Sequence, residues 1–393
     1  MMSGPLSTLK ILDFTTLLPG PFATMLLADL GADVVRVESP TRPDLVRHKS
    51  PTVGDTSAWH AVLNRSKRSL ALDLKRPGAA AVVKRLVQRY DVVVEQFRPG
   101  VMDRLGVGYE ALQEANPGLI YCAITGYGQD GPYRDRAGHD INYLALAGVA
   151  SHSGRAHTGP PALGVQVADV GAGSFGAIMG LLAAVVHRQQ TGEGQFVDVS
   201  MFDGALAWNA LAIADALAGA EPQREATLLN GGTYYDYYRT QDGRYLALGA
   251  LEPKFWQGFC EAIERPDLVG QGQSLAPGEQ GPLKAEIQKE IDKRSLSAWQ
   301  EVFAAYDVCV EPVLTAIEAL QQEQVEARGL LVDVPHPQGP PQRQVAHPLK
   351  FSRCRPVYRH VGPPLGAHGD EVLREAGYEE AEIAALRAAG MLG

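Results

Sequence analysis

The first forty residues constrain the fold most, because they spell a strand, a helix and a second buried strand with no room for a hairpin. Leu9 to Phe14 is apolar, Leu18-Pro19-Gly20-Pro21 turns into a helix that Gly31 stops just after Leu30, and Asp33 to Glu38 is again a buried strand. A helix between two strands makes them parallel, and a parallel pair has to be covered on both faces. Further strands are predicted at Asp91 to Glu95 and Leu119 to Thr125, the first preceded by a helical pattern from Gly78 to Arg89. The expectation is an α/β protein whose large domain is an open parallel sheet. Its first crossover loop lacks the G-x-G-x-x-G run that cradles a pyrophosphate, which argues against NAD or FAD.

After Gly204 the pattern changes. Ala205 to Ala220 reads as one alanine-rich helix, and Tyr234 to Tyr238 and Tyr245 to Ala250 flank a Gln241-Asp242-Gly243 turn as a hairpin. Glu252-Pro253 opens a helix, and a Gly/Gln/Pro-rich loop at 270–283 precedes amphipathic helices at Pro282 to Lys293 and Ser297 to Tyr306. The expected division is a large domain at 1–200, a linker helix at 201–224, a smaller α+β domain at 225–315 and a tail at 316–393. Within that tail, Pro335 to Pro348 reads as a connector and Asp370 to Ala376 as a short surface helix.

A net charge of −9 over 393 residues leaves no basic field for nucleic acid. Cys122, Cys260, Cys309 and Cys354 lack metal-ligand spacing and read as reduced residues of a cytoplasmic protein. No apolar run is read as reaching the roughly 20 residues of a membrane span, and no metal site is expected. Against this acidic balance, cations gather in the loops beside the strands: Arg42, Arg47, His48 and Lys49, then Arg65, Lys67 and Arg68, then Arg98 and Arg104. Such a set suits a ligand with several phosphates, the alternative being a solvated charged surface.

The chemistry centres on Gly138-His139-Asp140 and on Asp169, which opens a long apolar helix ending at His187-Arg188 and Gly192. His139 and Asp169 suggest an acid/base pair. Alternatively, Asp169 is a plain N-cap, held ionised near neutral pH by the helix N-terminus, and His139 is structural.

These runs resemble the class III CoA-transferase superfamily, and within it the alpha-methylacyl-CoA racemases, over nearly the whole chain. Leu18-Pro19-Gly20-Pro21-Phe22-Ala23, Leu30 to Glu38, Asn64 to Arg68, Leu72 to Lys75, Thr191 to Gln195, Cys309 to Val313 and Leu365 to Leu373 look like superfamily signatures. The racemase branch is marked by Ala137 to Tyr143, by Gly231-Gly232 with its tyrosines, and by Gly249 to Phe255. The resemblance implies a Rossmann-like large domain built from both ends of the chain, residues 316–393 returning to it, and an interlocked homodimer. It implies an acyl-CoA thioester as the ligand, with no cofactor beyond its CoA moiety and no nucleic-acid or membrane partner. Leu72, Asp73, Leu74, Lys75, Gln96, Phe97, Arg98 and Arg104 would hold the nucleotide side, and Gly138, Ile141, Asn142 and Tyr143 the thioester end. His139, oriented by Glu252, would serve one face of the substrate and Asp169 the other, with the Asp140 region stabilising an enolate oxygen. Ser39 departs from the pattern, standing where an arginine for a phosphate is common, and Arg42 or Arg47 is the expected substitute.

Overall fold

A computed structural model describes residues 4–274, 276 and 279–393. The chain divides into two compact units. The first comprises the chain up to Leu144, Gly164–Ala207 and Gln324–Gly393, and the second Ala145–Leu163 and Trp208–Glu323.

In the first unit the elements that matter are β1 (Lys10–Asp13), α1 (Pro19–Asp29), β2 (Asp33–Glu38), β3 (Arg68–Ala71), β4 (Val92–Glu95), β5 (Ile120–Thr125), α2 (Asp140–Leu146), α3 (Gly176–Thr191) and β6 (Phe196–Ser200). The six strands are all parallel, in the order β3-β2-β1-β4-β5-β6. From β1 the chain builds outward to β2 and β3, then returns to the other side of β1 with β4 and continues to β6. The order therefore reverses between β1 and β4, and in such a sheet the crevice outside the carboxyl ends at that point receives ligands.

Alternation along the strands divides the core between the two faces. Leu12, Val35, Leu70, Val93 and Tyr121 pack with Val82, Val83 and Leu86 on one side. Ile11, Val34, Val92, Ile120 and Cys122 pack with Ala23 and Leu27 of α1 and Ala177, Leu181 and Ala184 of α3 on the other. Each fully buried Leu, Ile or Val contributes about 1.5–3 kcal/mol.

Several expectations are corrected here. Two strands of the six-stranded sheet were not read from the sequence, β3 and β6, because Arg68-Ser69-Leu70-Ala71 follows a basic run and Phe196 to Ser200 carries Asp198 in mid-strand. The C-terminal helices Gly369–Glu375 and Glu380–Ala388 are not surface decorations, since Val372, Leu373 and Ile383 are buried in the main core. The stretch read as a connector contains a strand, Gln342–Val345, paired antiparallel with Leu331–Val334. Its inward residues are Gln342 and Gln344, so polar side chains hid the alternation. Counting the turn that precedes α3, Ala168–Thr191 is one helix of 24 residues with an 18-residue window of mean hydropathy 1.7, long and apolar enough to cross a membrane by length and composition. The glycines and the aspartate at its start broke that run in the sequence reading.

The cation set is also thinned. Arg65 is buried and makes a two-pronged pair with Asp29 at 3.0 and 2.6 Å. Lys67 is wholly buried against Asp13, Asn64 Oδ1 and the Pro21 carbonyl at 3.0–3.1 Å. Burial brings its ammonium down to about 8. Burial also pushes Asp13 up, but Lys67 and Arg36 outweigh it and hold the carboxylate low. Arg47 is committed to Glu38 and His60, and Arg68 to Asp33, Glu371 and Glu375. Four of the expected ligand cations are therefore fold-holding ion pairs.

In the second unit β7 (Asp236–Arg239), β8 (Tyr245–Leu248) and β9 (Val310–Pro312) form an antiparallel sheet. Helices Pro253–Ala262, Gly281–Ile291 and Leu296–Phe303 accompany it, and Tyr234 stacks on Trp256 at 4.2 Å in their core. Arg155 grips Asp236 with both guanidinium arms at 2.7 Å, which ties residues 145–163 to this unit. The single helix read at Ala205 to Ala220 is two, Met201–Trp208 and Ala210–Leu217. Part of the loop expected at 270–283 lies outside the described residues.

Candidate active site

Beyond the carboxyl ends of β1, β4 and β5 the first unit holds a cavity of about 410 Å³. Leu17 and Pro19 enter it from the start of α1, Gln96 to Pro99 from the loop after β4, and Thr125 and Gly126 from the end of β5. His139 comes from just before α2, Asn142 and Tyr143 from α2 itself, and Asp169 from the start of the long helix.

The α2 entry is built by its glycine. Gly138 has no room for a side chain, since a Cβ there would lie 2.6 Å from the Tyr143 ring and 2.9 Å from the Tyr127 hydroxyl. Tyr143 donates its hydroxyl to the Gly138 carbonyl at 2.6 Å and meets Tyr127 edge to face. At the helix start, the His139 N–H donates to Asn142 Oδ1 at 3.0 Å, and the His139 carbonyl accepts from the Asn142 and Tyr143 N–H groups. The backbone at His139 is thereby fixed while its side chain remains exposed at the cavity.

Asp169 is not an N-cap, as one reading of the sequence had it. Ala168–Phe175 winds as a π-helix running straight into α3, and Asp169 lies inside its first turn. The capping carboxylate is Asp140, whose Oδ1 accepts the Ala168 N–H at 2.6 Å and the Asp169 N–H at 3.1 Å. Asp169 is then partly desolvated beside a like charge. Burial first, and Asp140 second, push it up to about 6, with His139 acting in the opposite sense. A π-turn widens the backbone and is common at functional sites. Here Gly173 lets it approach α1 closely, a Cβ there standing 3.0 Å from Pro19 Cβ.

A second cavity of the same unit, about 770 Å³, lies beyond β1 and β2. Phe14, Val37, Leu45, Leu72, Leu74, Val101 and Leu105 give it an apolar wall, with Arg42, His48 and Lys75 as its basic side chains. Ser39 lines it too, and of the two arginines expected to substitute there only Arg42 does.

Of the residues singled out from sequence, Gln96, Phe97, Arg98, Gly138, His139, Asn142, Tyr143 and Asp169 line the first cavity. Leu72, Asp73, Leu74, Lys75 and Phe97 line the second. Ile141 and Arg104 are exposed and line neither, and Asp140 acts through the helix start. Glu252 belongs to the second unit, exposed at the N-cap of helix Pro253–Ala262. Leu17, Met201, Arg134 and Arg136 were missed. The arginines stand in the run that leads into Gly138, which is the signal that could have found them.

The sequence pattern of CoA-transferase family III matches residues 6–369. The chain is 36% identical to the alpha-methylacyl-CoA racemase of Homo sapiens over 96% of its length and 95% of that protein. It is also 36% identical to a succinyl-CoA:mesaconate CoA-transferase of Haloarcula hispanica, over 95% of its length and 97% of that protein. Among solved structures, a CAIB/BAIF family protein from Brucella suis superposes with a TM-score of 0.83 at 28% identity, covering 96% of this chain and all of that one.

Proposed function

The chain belongs to CoA-transferase family III, and from that premise we propose that it is a racemase of 2-methylacyl-CoA thioesters. One observation carries the reading: His139 and Asp169 line the same cavity, and Asp169 is pushed up to about 6, into the range where a carboxyl both takes and gives protons near neutral pH.

Inverting the carbon next to a thioester carbonyl needs a base on one face and an acid on the other. One group removes the α-proton, and the C–H electron pair moves into an enolate with negative charge on the thioester oxygen. The other returns a proton to the opposite face, so the composition is unchanged. Asp169 serves one face and His139 the other, with Glu252 as the supporting carboxylate for His139 on the resemblance. Backbone N–H groups at the start of α2, around Asp140, are the donors for the enolate oxygen, each worth on the order of 3 kcal/mol. The cavity with Arg42, His48 and Lys75 takes the phosphorylated nucleotide, and two copies of the chain form the working enzyme.

CoA transfer is the second reading, favoured by the equal likeness to a transferase. Asp169 would attack the acyl carbonyl, releasing CoA thiolate and leaving a mixed anhydride. The thiolate would then attack the aspartyl carbonyl, expelling the donor carboxylate and leaving an aspartyl-CoA thioester, from which a free carboxylate, by the same two steps in reverse, takes the CoA and restores Asp169. Proton NMR in heavy water with a 2-methylacyl-CoA decides between them. Loss of the α-proton signal with interconversion of epimers supports the racemase. Retention of that signal, with CoA passing to an added carboxylate, makes Asp169 a nucleophile and removes His139 from the mechanism.

A further inference from the structure

The two cavities share two lining residues, Leu17 and Phe97. Leu17 follows β1 and Phe97 follows β4, neighbouring strands in register at Leu12 with Val93 and Asp13 with Val94, so both stand where the strand order reverses. Each is held in the same way. The Leu17 N–H donates to Asp44 Oδ2 at 2.8 Å, and the Phe97 N–H donates to Glu95 Oε2 at 2.7 Å. Both carboxyls are buried, Asp44 at 4% and Glu95 at 5% exposure.

Leu17 is not in a relaxed conformation. Its φ of 62° lies in the left-handed region, which costs a leucine roughly 1–2 kcal/mol. Strain of this kind persists only where the surroundings impose it. Asp44 does so from a fixed seat: it is ion-paired with the buried Arg36, and its Oδ1 accepts the Val46 N–H at 3.0 Å. On the other side the loop after β4 is tied to α1, where Gln96 Oε1 accepts the Gly20 N–H at 2.9 Å.

We propose that Asp44 and Glu95 are positioning residues that fix Leu17 and Phe97 as the two sides of a neck, through which the slender arm of an acyl-CoA joins the nucleotide cavity to the acid/base cavity. The inference rests on the acyl-CoA reading above. A neck set from two buried carboxyls selects a ligand whose ends are bulky and whose middle is thin. Affinity for the whole molecule then exceeds that for its nucleotide end because the arm is held in line.

Calorimetric titration with CoA and with adenosine 3′,5′-bisphosphate tests this on the wild type, Leu17→Gly, Glu95→Ala and Glu95→Gln. The readout is the affinity for CoA over that for the bisphosphate. It should fall at least tenfold in Leu17→Gly and Glu95→Ala, and Glu95→Gln, which keeps an oxygen acceptor for the Phe97 N–H, should restore it. An unchanged ratio in Leu17→Gly and Glu95→Ala overturns the neck while leaving the acyl-CoA reading intact. A wild type that binds neither ligand overturns both. Bisphosphate binding reports that a variant is folded, and Leu17→Gly, which relieves strain, decides the matter where Glu95→Ala does not fold.

Discussion

Asp140 Oδ1 accepts the backbone N–H of Asp169 at 3.1 Å, so the neighbour of His139 in the chain both seats Asp169 and places a negative charge beside it. Asn caps a helix as well as Asp does but carries no charge. Asp140→Asn should therefore keep the geometry and lower the Asp169 pKa from about 6, part of the way only, because burial is the larger cause. On the racemase reading Asp169 must be ionised to act as a base, so exchange of the α-proton it would remove falls as pH drops through that value. In a pH–rate profile of deuterium exchange, the variant's acid limb should move to lower pH. A limb that stays in place would show that the Asp140 charge does not act on Asp169.

Removing either side chain of the proposed acid/base pair should separate chemistry from binding. His139→Ala and Asp169→Asn should each slow α-proton exchange on one epimer by about 10²–10⁴-fold, while thioester affinity changes by a few-fold at most. Single-epimer exchange followed by NMR, beside a calorimetric titration, checks both. Equal losses of affinity and rate would mean that these side chains only bind.

Gly138→Ala should be as damaging as losing a functional group. The new methyl carbon would stand 2.6 Å from the Tyr143 ring, so α2 and His139 must shift. A displacement near 1 Å of a reacting group costs about 10²-fold in rate. Exchange assays beside a melting curve separate this from unfolding, and wild-type exchange would show that α2 tolerates the shift.

The first βαβ unit was legible because its apolar runs are bounded by proline and glycine, and β2 lies where the pattern put it, at Asp33–Glu38. Boundaries elsewhere moved by a residue or two, as at β4 and β5. What the sequence hid depends on partners far away in the chain. Arg65 and Lys67 read as ligand cations until Asp29 and Asp13 are brought against them. A cap stayed open as an alternative role for the Asp169 carboxyl until Asp140, 29 residues earlier, took that role. A charged side chain carries the same letter whether it meets a phosphate or a buried carboxylate, and only the fold decides which.

The Arg65–Asp29 pair makes a stability prediction of the same kind. Burial raises the Asp29 carboxyl, with Arg65 the chief group opposing that rise. Arg65→Ala should therefore leave an uncompensated buried acid at the end of α1 and cost about 3–5 kcal/mol. The urea midpoint at pH 7 reads the loss, and a replacement of both partners by leucine and methionine should recover much of it. A midpoint within experimental error of wild type in the single variant would make the pair dispensable.

Glu95 supplies a pH dependence whose sign can be worked out. Burial first, then the Asp103 and Asp198 charges, raise its folded pKa from 4.5 to about 8, with the Phe97 N–H opposing. Between those values the folded chain keeps a proton that the unfolded chain releases, so raising the pH favours unfolding. The contribution is fully present below pH 4.5, is lost progressively up to about 8, and changes no further above that. Its size is on the order of 4 kcal/mol. Glu95→Gln cannot ionise, yet its amide oxygen can accept the same N–H. Relative to wild type, the variant should gain stability steadily from pH 5 to pH 8 and hold that gain at pH 9, read as urea midpoints of the first unfolding transition. Parallel pH profiles for the two proteins would mean that Glu95 is solvated when it ionises, and the buried seat assigned to it beneath Phe97 would be wrong.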